Sequence, residues 1–440
     1  MPSSAEGVTT IPKGSTAKWP EAHSPLKKGE EIVCSAWRHA AARKGRSKRN
    51  ELRRTRCLEN NLVITRNVNR QYDDSFAVEG AKIGSTLRIR LPDRALVTDG
   101  AALQVQADNE QYTTLTVASQ KHIGVNFTSA ELTLQLDDFA ERVLKPRISQ
   151  LAASIDADVA NSFKNVYQSV GTPGTTPATS LVLLQGQQKL NEAAAVMSPR
   201  YATVNPAANA GLVEGMKGLF NPTDTISRQF KNGMMGVGVL GYEEINMSQS
   251  IKNFTTGTRT NGTTAAAVTT EGAASISLTI NAGGTVAVGD VFTVADCFAV
   301  NPQTRESTGS LQQFVVTEAA TADGGGAVTV KVAPAIFSAT NALATVNTLP
   351  GNGKTVTWVG AASKTFAQNL IYHRDAITFA TADLMMPQGV DMASRQVHNG
   401  ISMRIVRQYD INNDRMPCRI DVLYGYSVIR PQMAVRLWGA

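Results

Sequence analysis

Apolar side chains between residues 137 and 168 recur every three or four positions, which is the spacing of one face of an α-helix. The residues on this stripe are Leu144, Ile148, Leu151, Ile155, Val159, Phe163 and Val166. Asp137, Asp138 and Glu141 suit the start of a helix, where an anion meets the positive end of the helix dipole. Pro146 should kink the helix near its beginning. The pattern predicts an amphipathic helix of roughly 45 Å, at about 1.5 Å per residue.

Strict alternation of apolar and polar residues, the pattern of a half-buried strand, occurs in two other parts of the chain. Residues 85–106 alternate on both sides of Thr98-Asp99-Gly100 and predict a long β-hairpin with charged flanks that turns there. A further strand is expected over residues 112–127. Near the C-terminus, residues 401–410 and 417–431 predict two strands joined by a polar turn.

The central part of the chain changes character twice. Residues 180–254 predict mixed α/β structure, with a helix at 180–195, a strand entering a helix at 200–216, and a buried glycine-containing strand, GVGVLG, at 236–241. Residues 255–356 are rich in Thr, Ala, Gly and Val, poor in charge, and divided by turns. They predict a small all-β barrel or sandwich. Because mixed α/β structure is predicted on both sides, this β-rich region is interpreted as an insertion.

The basic charge of the chain is confined to its beginning. The 440 residues carry a net charge of +7, but residues 1–57 alone hold thirteen Lys and Arg against five Glu, and the remainder has a net charge of −1. Most of the excess lies between Arg43 and Arg56. A disordered tail, a segment that binds nucleic acid non-specifically by counterion release, and a wrongly assigned start all fit this leader.

Other classes of protein are disfavoured by what the chain lacks. The chain has no run of about eighteen apolar residues, which a membrane span would need. Its N-terminus has no apolar signal-peptide core. The cysteines are far apart, which favours free thiols in a reducing cell over a zinc site or disulfide framework. The histidines form no spaced ligand set, so no metal site is expected. These residues are Cys34, Cys57, Cys297 and Cys418, and His23, His39, His122, His373 and His398.

Two short motifs imitate a protein kinase. His373-Arg374-Asp375 spells the triplet of a kinase catalytic loop, and residues 236–241 fit a phosphate-covering glycine loop. A kinase needs a metal-binding Asn five positions after the Asp, but Ala380 stands there. The chain also lacks a DFG triplet and a lysine-bearing strand after the glycines. The motifs are therefore interpreted as accidental.

Several segments together resemble tailed-bacteriophage major capsid (coat) proteins of the P22-type branch. They are LENNLVITRNVNRQYDDSFA (58–77), VGDVFTVADCFAVNPQTRESTGSLQQFVV (288–316), NLIYHRDAITFATADL (369–384) and residues 406–437. The resemblance covers nearly everything from Leu58 to Ala440, in the expected order. It does not cover residues 1–57, whose role stays open.

The resemblance implies an α+β, HK97-like capsid fold with a long spine helix, an extended β-hairpin loop, an axial α/β domain and an inserted all-β domain. The implied divisions are a basic leader (1–57), an N-terminal arm (58–80), the extended loop (81–118), a peripheral domain with the spine helix (119–171), an axial domain in two parts (172–254 and 357–395), the inserted domain (255–356) and C-terminal strands of the peripheral domain (396–440).

The implied function is that of a structural shell subunit. Copies would assemble as pentamers and hexamers of an icosahedral procapsid in the host bacterial cytoplasm, with a scaffolding protein and a portal protein. The mature virion would hold double-stranded DNA without sequence specificity. No catalysis, cofactor, metal or membrane association is implied.

The resemblance also gives individual residues an expected role. Arg88, Arg90, Asp93 and Arg94 in the extended loop are candidates for intersubunit ion pairs, although solvated loop charges worth under about 1 kcal/mol each fit equally well. His373, Arg374 and Asp375 are expected to form a structural polar cluster, with an Arg374–Asp375 ion pair at a domain edge. Some related shells join subunits through a lysine of this loop. No lysine lies between Lys82 and Lys121, so no such crosslink is predicted.

Three other functions were weighed against a phage shell. The first is the shell of a cellular, encapsulin-like nanocompartment of the same fold, which encloses protein; the inserted β-domain favours the viral branch. The second is a nucleic-acid-binding protein that depends on Arg43–Arg56. An enzyme has the least support, because no nucleophile–base pair or carboxylate pair stands out.

Overall fold

Two six-stranded β-sheets, a closed barrel, two two-stranded pairs, three α-helices and short 3-10 turns form the regular structure of the described residues. The computed structural model describes residues 62–72, 86–103, 105, 110–128, 145–216, 236–398 and 401–439. The helices in these ranges are α1 (Lys145–Asn161), α2 (Ser180–Glu192) and α3 (Pro206–Met216). The strands are β1 (Thr86–Arg90), β2 (Tyr112–Val125), β3 (Ser169–Val170), β4 (Arg200–Val204), β5 (Gly236–Val239), β6 (Tyr242–Met247), β7 (Asn253–Thr255), β8 (Gly262–Thr264), β9 (Ala273–Thr279), β10 (Thr285–Val286), β11 (Val291–Val300), β12 (Ser307–Val316), β13 (Ala320–Thr321), β14 (Ala327–Ile336), β15 (Thr355–Trp358), β16 (Thr365–Ala367), β17 (Asn369–His373), β18 (Ile377–Ala382), β19 (Met392–His398), β20 (Ile401–Arg407), β21 (Cys418–Val428) and β22 (Ala434–Leu437).

The predicted amphipathic helix is confirmed over α1, which continues into a 3-10 turn at Ser162–Asn165. Every stripe residue that the structure describes is buried, and these residues are Ile148, Leu151, Ile155, Val159, Phe163 and Val166. They pack against the even-numbered apolar residues of β21, such as Ile420 and Val422, in the largest core. The predicted caps at 137–141, Leu144, and the segment that would show a kink before Pro146 lie outside the described residues.

The first sheet has the strand order β1–β2–β21–β20–β19, with β18 also paired to β21. The two C-terminal strands predicted from alternation are confirmed as β20 and β21. Only the first arm of the hairpin predicted at 85–106 is a strand: β1 forms an antiparallel pair with β2, with Thr86 opposite Thr116 and Arg90 opposite Tyr112.

The predicted arms of the hairpin are wrong in extent. Residues 91–103 form no strand, and the partner of β1 is β2, which the sequence predicted as a separate strand. Gly100, with φ +110, lies in this connection near the predicted turn. Residues 92–103 belong to no strand pair that the structure describes, so alternation alone did not make them a strand.

The second sheet has the order β3–β22–β17–β4–β6–β5 and packs against α2 and α3. The predicted helix at 180–195 and the strand–helix unit at 200–216 are confirmed as α2, β4 and α3. The GVGVLG strand is not buried as predicted, because β5 is the sheet edge and Gly238 is exposed with φ +71. The final strand, β22, lies in this sheet, so residues 401–439 divide between both sheets.

A closed barrel of six strands lies between β6 and β17 in the chain, in the order β11–β12–β14–β9–β8–β15. Its core is separate from the cores of the sheets, and in it the Phe292 ring contacts both the Phe314 and the Trp358 rings. The short antiparallel pair β7–β16 joins the segments that enter and leave the barrel, and β10–β13 is the second two-stranded pair. The strands predicted within residues 255–356 are therefore confirmed, and their closure into a barrel removes exposed sheet edges.

Candidate functional site

The kinase-like triplet lies where the chain passes from the second sheet to the first. The 3-10 turn Arg374–Ala376 links β17 to β18, and His373 is 3% exposed at the end of β17. The Nδ1 atom of His373 accepts the Asp375 N–H at 3.2 Å, and its Nε2 lies 3.4 Å from the Ser198 carbonyl oxygen. Asn69 Nδ2 donates to Asp375 Oδ1 at 2.7 Å. These contacts make the triplet a packed turn between sheets.

The predicted Arg374–Asp375 ion pair is corrected by the structure. Arg374 is exposed, and no ion pair between it and Asp375 occurs among the described residues. The Asp375 carboxylate lies 3.8 Å from His373 Nδ1 instead. Successive side chains of a 3-10 turn point about 120° apart, which keeps these neighbours from meeting. Ala380, fully buried in β18, occupies the position where a kinase has its metal-binding Asn.

The N-terminal segment, residues 62–72, is bound to α1 through a buried carboxylate. Asp156 Oδ2 accepts the N–H groups of Val63 and Ile64 at 2.8 and 3.0 Å. Asp156 Oδ1 accepts the N–H and the hydroxyl of Thr65 at 3.0 and 2.5 Å. Asp156 has no exposed surface, and burial raises its pKa, although the four hydrogen bonds act in the opposite direction. The carboxylate therefore fixes a stretch of chain with no regular secondary structure.

The same segment also contacts both sheets. Arg66 Nη2 lies 2.9 Å from Glu244 Oε2 on β6. The Asn69 N–H donates to the Ile377 carbonyl, and the Phe379 N–H donates to the Asn69 carbonyl, both at 3.0 Å. The N-terminal segment thus connects α1, called the central helix below, to the second sheet and to β18 of the first sheet.

A buried guanidinium joins the barrel to the central helix. Arg436 on β22 is 1% exposed and donates to the carbonyls of Val166, Lys164 and Gly289 at 2.7, 2.9 and 2.9 Å. Val166 and Lys164 follow α1, whereas Gly289 precedes the barrel strand β11. Burial lowers the pKa of Arg436 to about 9, and the nearby Asp290 carboxylate opposes that shift.

A second buried charge pair lies at the same junction. Arg259 Nη2 and Asp290 Oδ1 are 3.0 Å apart, with side chains 1% and 0% exposed. The Arg259 guanidinium lies 4.8 Å from the centre of the Trp358 ring and donates to the carbonyls of Val359 and Gly360. Because isolated buried charges are costly, these contacts fix the barrel base in one arrangement.

Among the charged residues of the extended loop, Arg88, Arg90 and Asp93 are exposed and Arg94 is half-buried. The Arg88 guanidinium lies 4.7 Å from the centre of the Tyr112 ring. Arg90 Nη1 lies 3.1 Å from Glu110 Oε1, with side chains 78% and 53% exposed. Asp93 Oδ1 accepts the Arg94 N–H at 2.8 Å. The structure brings Asp93 and Arg94 to the rim of a cavity, and Arg88 and Arg90 stand on β1. Their intersubunit role remains a prediction.

Apolar residues in the same loop were not singled out from the sequence. Val97, Leu103 and Val105 are 83%, 89% and 86% exposed. Their alternation was visible, but it was interpreted as the buried face of a hairpin arm. Three large apolar side chains on one exposed loop are typical of a surface that another molecule covers.

No group of His, Cys, Asp and Glu that could hold a metal ion occurs in the part of the chain that the structure describes. Cys297 and Cys418 are buried and form no disulfide among the described residues, and burial raises the pKa of Cys297 to about 12. Among the described helices, none has the length and hydropathy needed to cross a membrane.

Comparison with known protein families gives one match that spans nearly all of the described chain. The family model described as P22 coat protein - gene protein 5 matches residues 55–439. No curated protein matches the sequence.

Solved structures of phages and of related particles have a weakly similar course of the chain. Mycobacterium phage Che8 has a TM-score of 0.44 and 12% identity, covering 84% of this chain and 88% of that chain. The capsid of Ralstonia phage GP4 has a TM-score of 0.42 and 7% identity, covering 85% and 87%. The virus-like particle from Pyrococcus furiosus has a TM-score of 0.38 and 8% identity, covering 87% and 95%. These likenesses are too weak to assign a fold or a function, unlike the family match.

Proposed function

The chain belongs to the P22 coat protein family and is a bacteriophage major capsid protein, and from that premise we propose how its parts build the shell. Copies assemble as pentamers and hexamers of an icosahedral procapsid around a scaffolding protein. The observation that carries this proposal is the family match over residues 55–439. The alternative, the shell of a cellular nanocompartment, is not favoured over a phage shell by any feature of the described residues.

We propose that the parts of the chain have the roles that the family resemblance implies. Residues 58–80 act as the N-terminal arm, 81–118 as the extended loop, and 119–171 with 396–440 as the peripheral domain. Residues 172–254 and 357–395 form the axial domain, and 255–356 form the inserted domain. The contacts of residues 62–72 with α1, β6 and β18 support the role of the arm. The closed barrel between β6 and β17 supports the inserted domain.

The extended loop is the proposed intersubunit contact. Arg88, Arg90, Asp93 and Arg94 provide charges, and the exposed apolar residues Val97, Leu103 and Val105 provide surface to bury. An exposed ion pair contributes under about 1 kcal/mol, so the charges determine the orientation of neighbouring subunits more than the affinity between them. Burying one exposed Leu or Val side chain contributes about 1.5–3 kcal/mol, which makes the apolar residues the stronger source of affinity. Repeated over many copies, such moderate contacts stabilise a closed shell.

The remaining partners follow from the same role. A portal protein occupies one vertex, and the shell holds double-stranded DNA without sequence specificity. The subunit performs no catalysis, assembles in the host bacterial cytoplasm and remains in the virion. Residues 58–440 have a net charge of −1, so DNA retention depends on enclosure more than on attraction to the folded subunit. His373 and Asp375 serve as a structural polar pair at the crossover between the sheets, and Arg374 lies exposed beside them.

Electron microscopy of expressed protein tests this proposal. The full chain and a chain without residues 1–57 are each expressed with the scaffolding protein, sedimented on a gradient and imaged by negative stain. Closed shells from both would support the capsid function and make the leader dispensable. Shells from the shorter chain alone would indicate a wrongly assigned start. Unassembled subunits from both, with the scaffold present, would contradict the proposal.

A further inference from the structure

A cavity of about 490 Å³ lies between the base of the hairpin loop, the C-terminal end of α2, the barrel and the turn before β22. Its wall includes Arg94 from the loop, Lys189 from α2 and Arg430 from the turn. The volume is within the range of small-molecule sites, roughly 300–1,000 Å³. Of the residues around this cavity, the capsid function proposed above uses only Asp93 and Arg94.

Lys189 is the residue that gives the cavity its chemistry. Its ammonium Nζ donates to Gln313 Oε1 at 3.1 Å, and that same oxygen also accepts the Ser169 N–H at 2.6 Å. An amide oxygen shared between two donors is a weak partner for a charge. Burial lowers the pKa of Lys189, and the Glu192 carboxylate opposes the shift without forming an ion pair. The ammonium is therefore poorly compensated.

The other two cations of the wall are also without a counter-ion. Neither Arg94 nor Arg430 forms an ion pair with any residue that the structure describes. The acidic residues of the wall are already engaged by neutral donors, since Asp93 Oδ1 accepts the Arg94 N–H and Glu192 Oε1 accepts Gln188 Nε2. Three cations against two carboxylates leave the wall with an excess of positive charge.

One residue of the wall, Gln168, also has an acceptor, which must turn towards the cavity to meet a ligand. Gln168 Oε1 is buried and has no hydrogen-bond partner among the described residues. Buried acceptors without a partner are uncommon and indicate a missing donor. Monohydrogen phosphate, or a phosphate ester with one proton, has both the negative charge for Lys189 and a P–O–H donor for Gln168.

We propose that this cavity binds a phosphate group, either as free phosphate or as part of a small organic phosphate, with the Lys189 ammonium as its main recognition group. Arg94 and Arg430 add charge at the rim. The site belongs to the folded subunit and does not depend on shell assembly. Its occupant would hold together the loop, α2 and the barrel, which meet at this point.

Isothermal titration calorimetry of the full-length subunit with sodium phosphate tests the site, with sodium sulfate and sodium acetate at equal ionic strength as comparisons. Lys189→Met keeps the aliphatic stem and removes the charge. The matched control is Lys331→Met, an exposed barrel lysine paired with Glu318. We expect saturable phosphate binding, at least tenfold weaker in K189M and unchanged in K331M. Sulfate, which has no proton to donate at neutral pH, should bind more weakly than phosphate.

The titration of either the unaltered subunit or K189M can overturn the proposal. No saturable phosphate heat in the unaltered subunit would remove the site. Binding in K189M within twofold of the unaltered subunit would assign the phosphate to other cations, such as those of residues 1–57, which every variant retains. Should K189M fail to fold, Arg430→Gln at the rim replaces it, with an expected weakening of at least threefold. Equal binding of phosphate and acetate would show a general anion site and contradict the phosphate assignment.

Discussion

Asp156 and Thr65 are separated by 91 residues, yet one carboxylate oxygen of Asp156 accepts both the N–H and the hydroxyl of Thr65. The other oxygen accepts the N–H groups of Val63 and Ile64. A carboxylate can accept four hydrogen bonds and donate none, which is what four converging donors require. This match explains why an acidic residue lies on the buried side of α1, and it fixes the N-terminal segment against the central helix.

Asp156→Asn should release the N-terminal segment, because the amide replaces an acceptor with a donor that faces N–H groups. Each buried donor left unsatisfied costs about 1–3 kcal/mol, so we expect the free energy of unfolding to fall by about that amount or more. Hydrogen exchange of peptides covering residues 62–72 should become faster, while exchange in the barrel core stays unchanged. Denaturant unfolding of unassembled subunits measures the stability loss.

Thr65→Val is the graded control for this change. It removes the hydroxyl and keeps the backbone N–H, so one of the four hydrogen bonds is lost. The expected destabilisation is about 1 kcal/mol, with a smaller rise in exchange than in D156N. Unchanged exchange over residues 62–72 in D156N would show that other contacts, such as Arg66–Glu244, hold the segment.

Arg436→Met should loosen the barrel from the central helix. The substitution keeps much of the apolar volume but leaves the carbonyls of Val166, Lys164 and Gly289 without their donor. Each buried carbonyl left without its donor costs about 1–3 kcal/mol, so we expect the free energy of unfolding to fall by about 3 kcal/mol or more. We expect a lower melting temperature and new protease cleavage at the segments that enter and leave the barrel.

Arg374→Met is the matched control for R436M, since Arg374 is exposed and its side chain forms no ion pair among the described residues. Its expected effect on stability is within about 0.5 kcal/mol. Equal melting temperatures for R436M and R374M would contradict the structural role of the buried arginine.

Asp290→Asn and Arg259→Met should be coupled, because the two side chains form one buried ion pair. D290N leaves a buried guanidinium without its counter-ion, and we expect a loss of about 3–5 kcal/mol. R259M leaves a carboxylate that still accepts the N–H groups of Gly257 and Ala287, so its cost should be smaller. The double variant should be less destabilised than the sum of the single variants, by about 1–3 kcal/mol. Strict additivity in denaturant unfolding would contradict this coupling.

A feature of the fold was predictable from the sequence when residues close together in the chain determine it. The helix at α1 was predictable because Ile148, Ile155 and Phe163 repeat with the period of the helix itself. The barrel strands were predictable for a similar reason, since alternation and turns are local. The hairpin arms were not, because the apolar residues at 97–105 alternate identically whether their cover is this chain or another molecule.

The polar contacts were the least predictable part. Nothing near Asp156 in the sequence indicates that its partners are residues 63–65. Arg436 likewise meets carbonyl groups from segments more than one hundred residues away. The Arg374–Asp375 pair was predicted from adjacency, but adjacency in a turn separates side chains. Buried charges depend on tertiary packing, which local patterns do not encode.

Replacing the three exposed apolar residues of the hairpin loop should impair assembly without destabilising the subunit. In the triple variant V97S, L103S and V105S, each substitution changes a side chain more than 80% exposed, so little folding energy is lost. We expect the free energy of unfolding to change by less than about 0.5 kcal/mol per site. The yield of sedimenting shells should fall strongly. The triple variant V97I, L103M and V105I keeps an apolar surface and should assemble normally. Normal shells from the serine variant would contradict the proposed contact.

Purified particles should separate into single subunits on a denaturing gel, giving one band near 47.0 kDa. A covalent link through the hairpin loop needs a lysine amine, and none occurs between Lys82 and Lys121. The Lys121 amine is already engaged within its own subunit, 2.6 Å from Asp158 Oδ2 and donating to the Ser154 carbonyl at 3.0 Å. Shell strength must then come from non-covalent contacts, and particles should dissociate in denaturant without a reducing agent or protease. A ladder of dimers and larger species on the gel would contradict this and would require a lysine outside residues 83–120, such as Lys82 at the start of the loop.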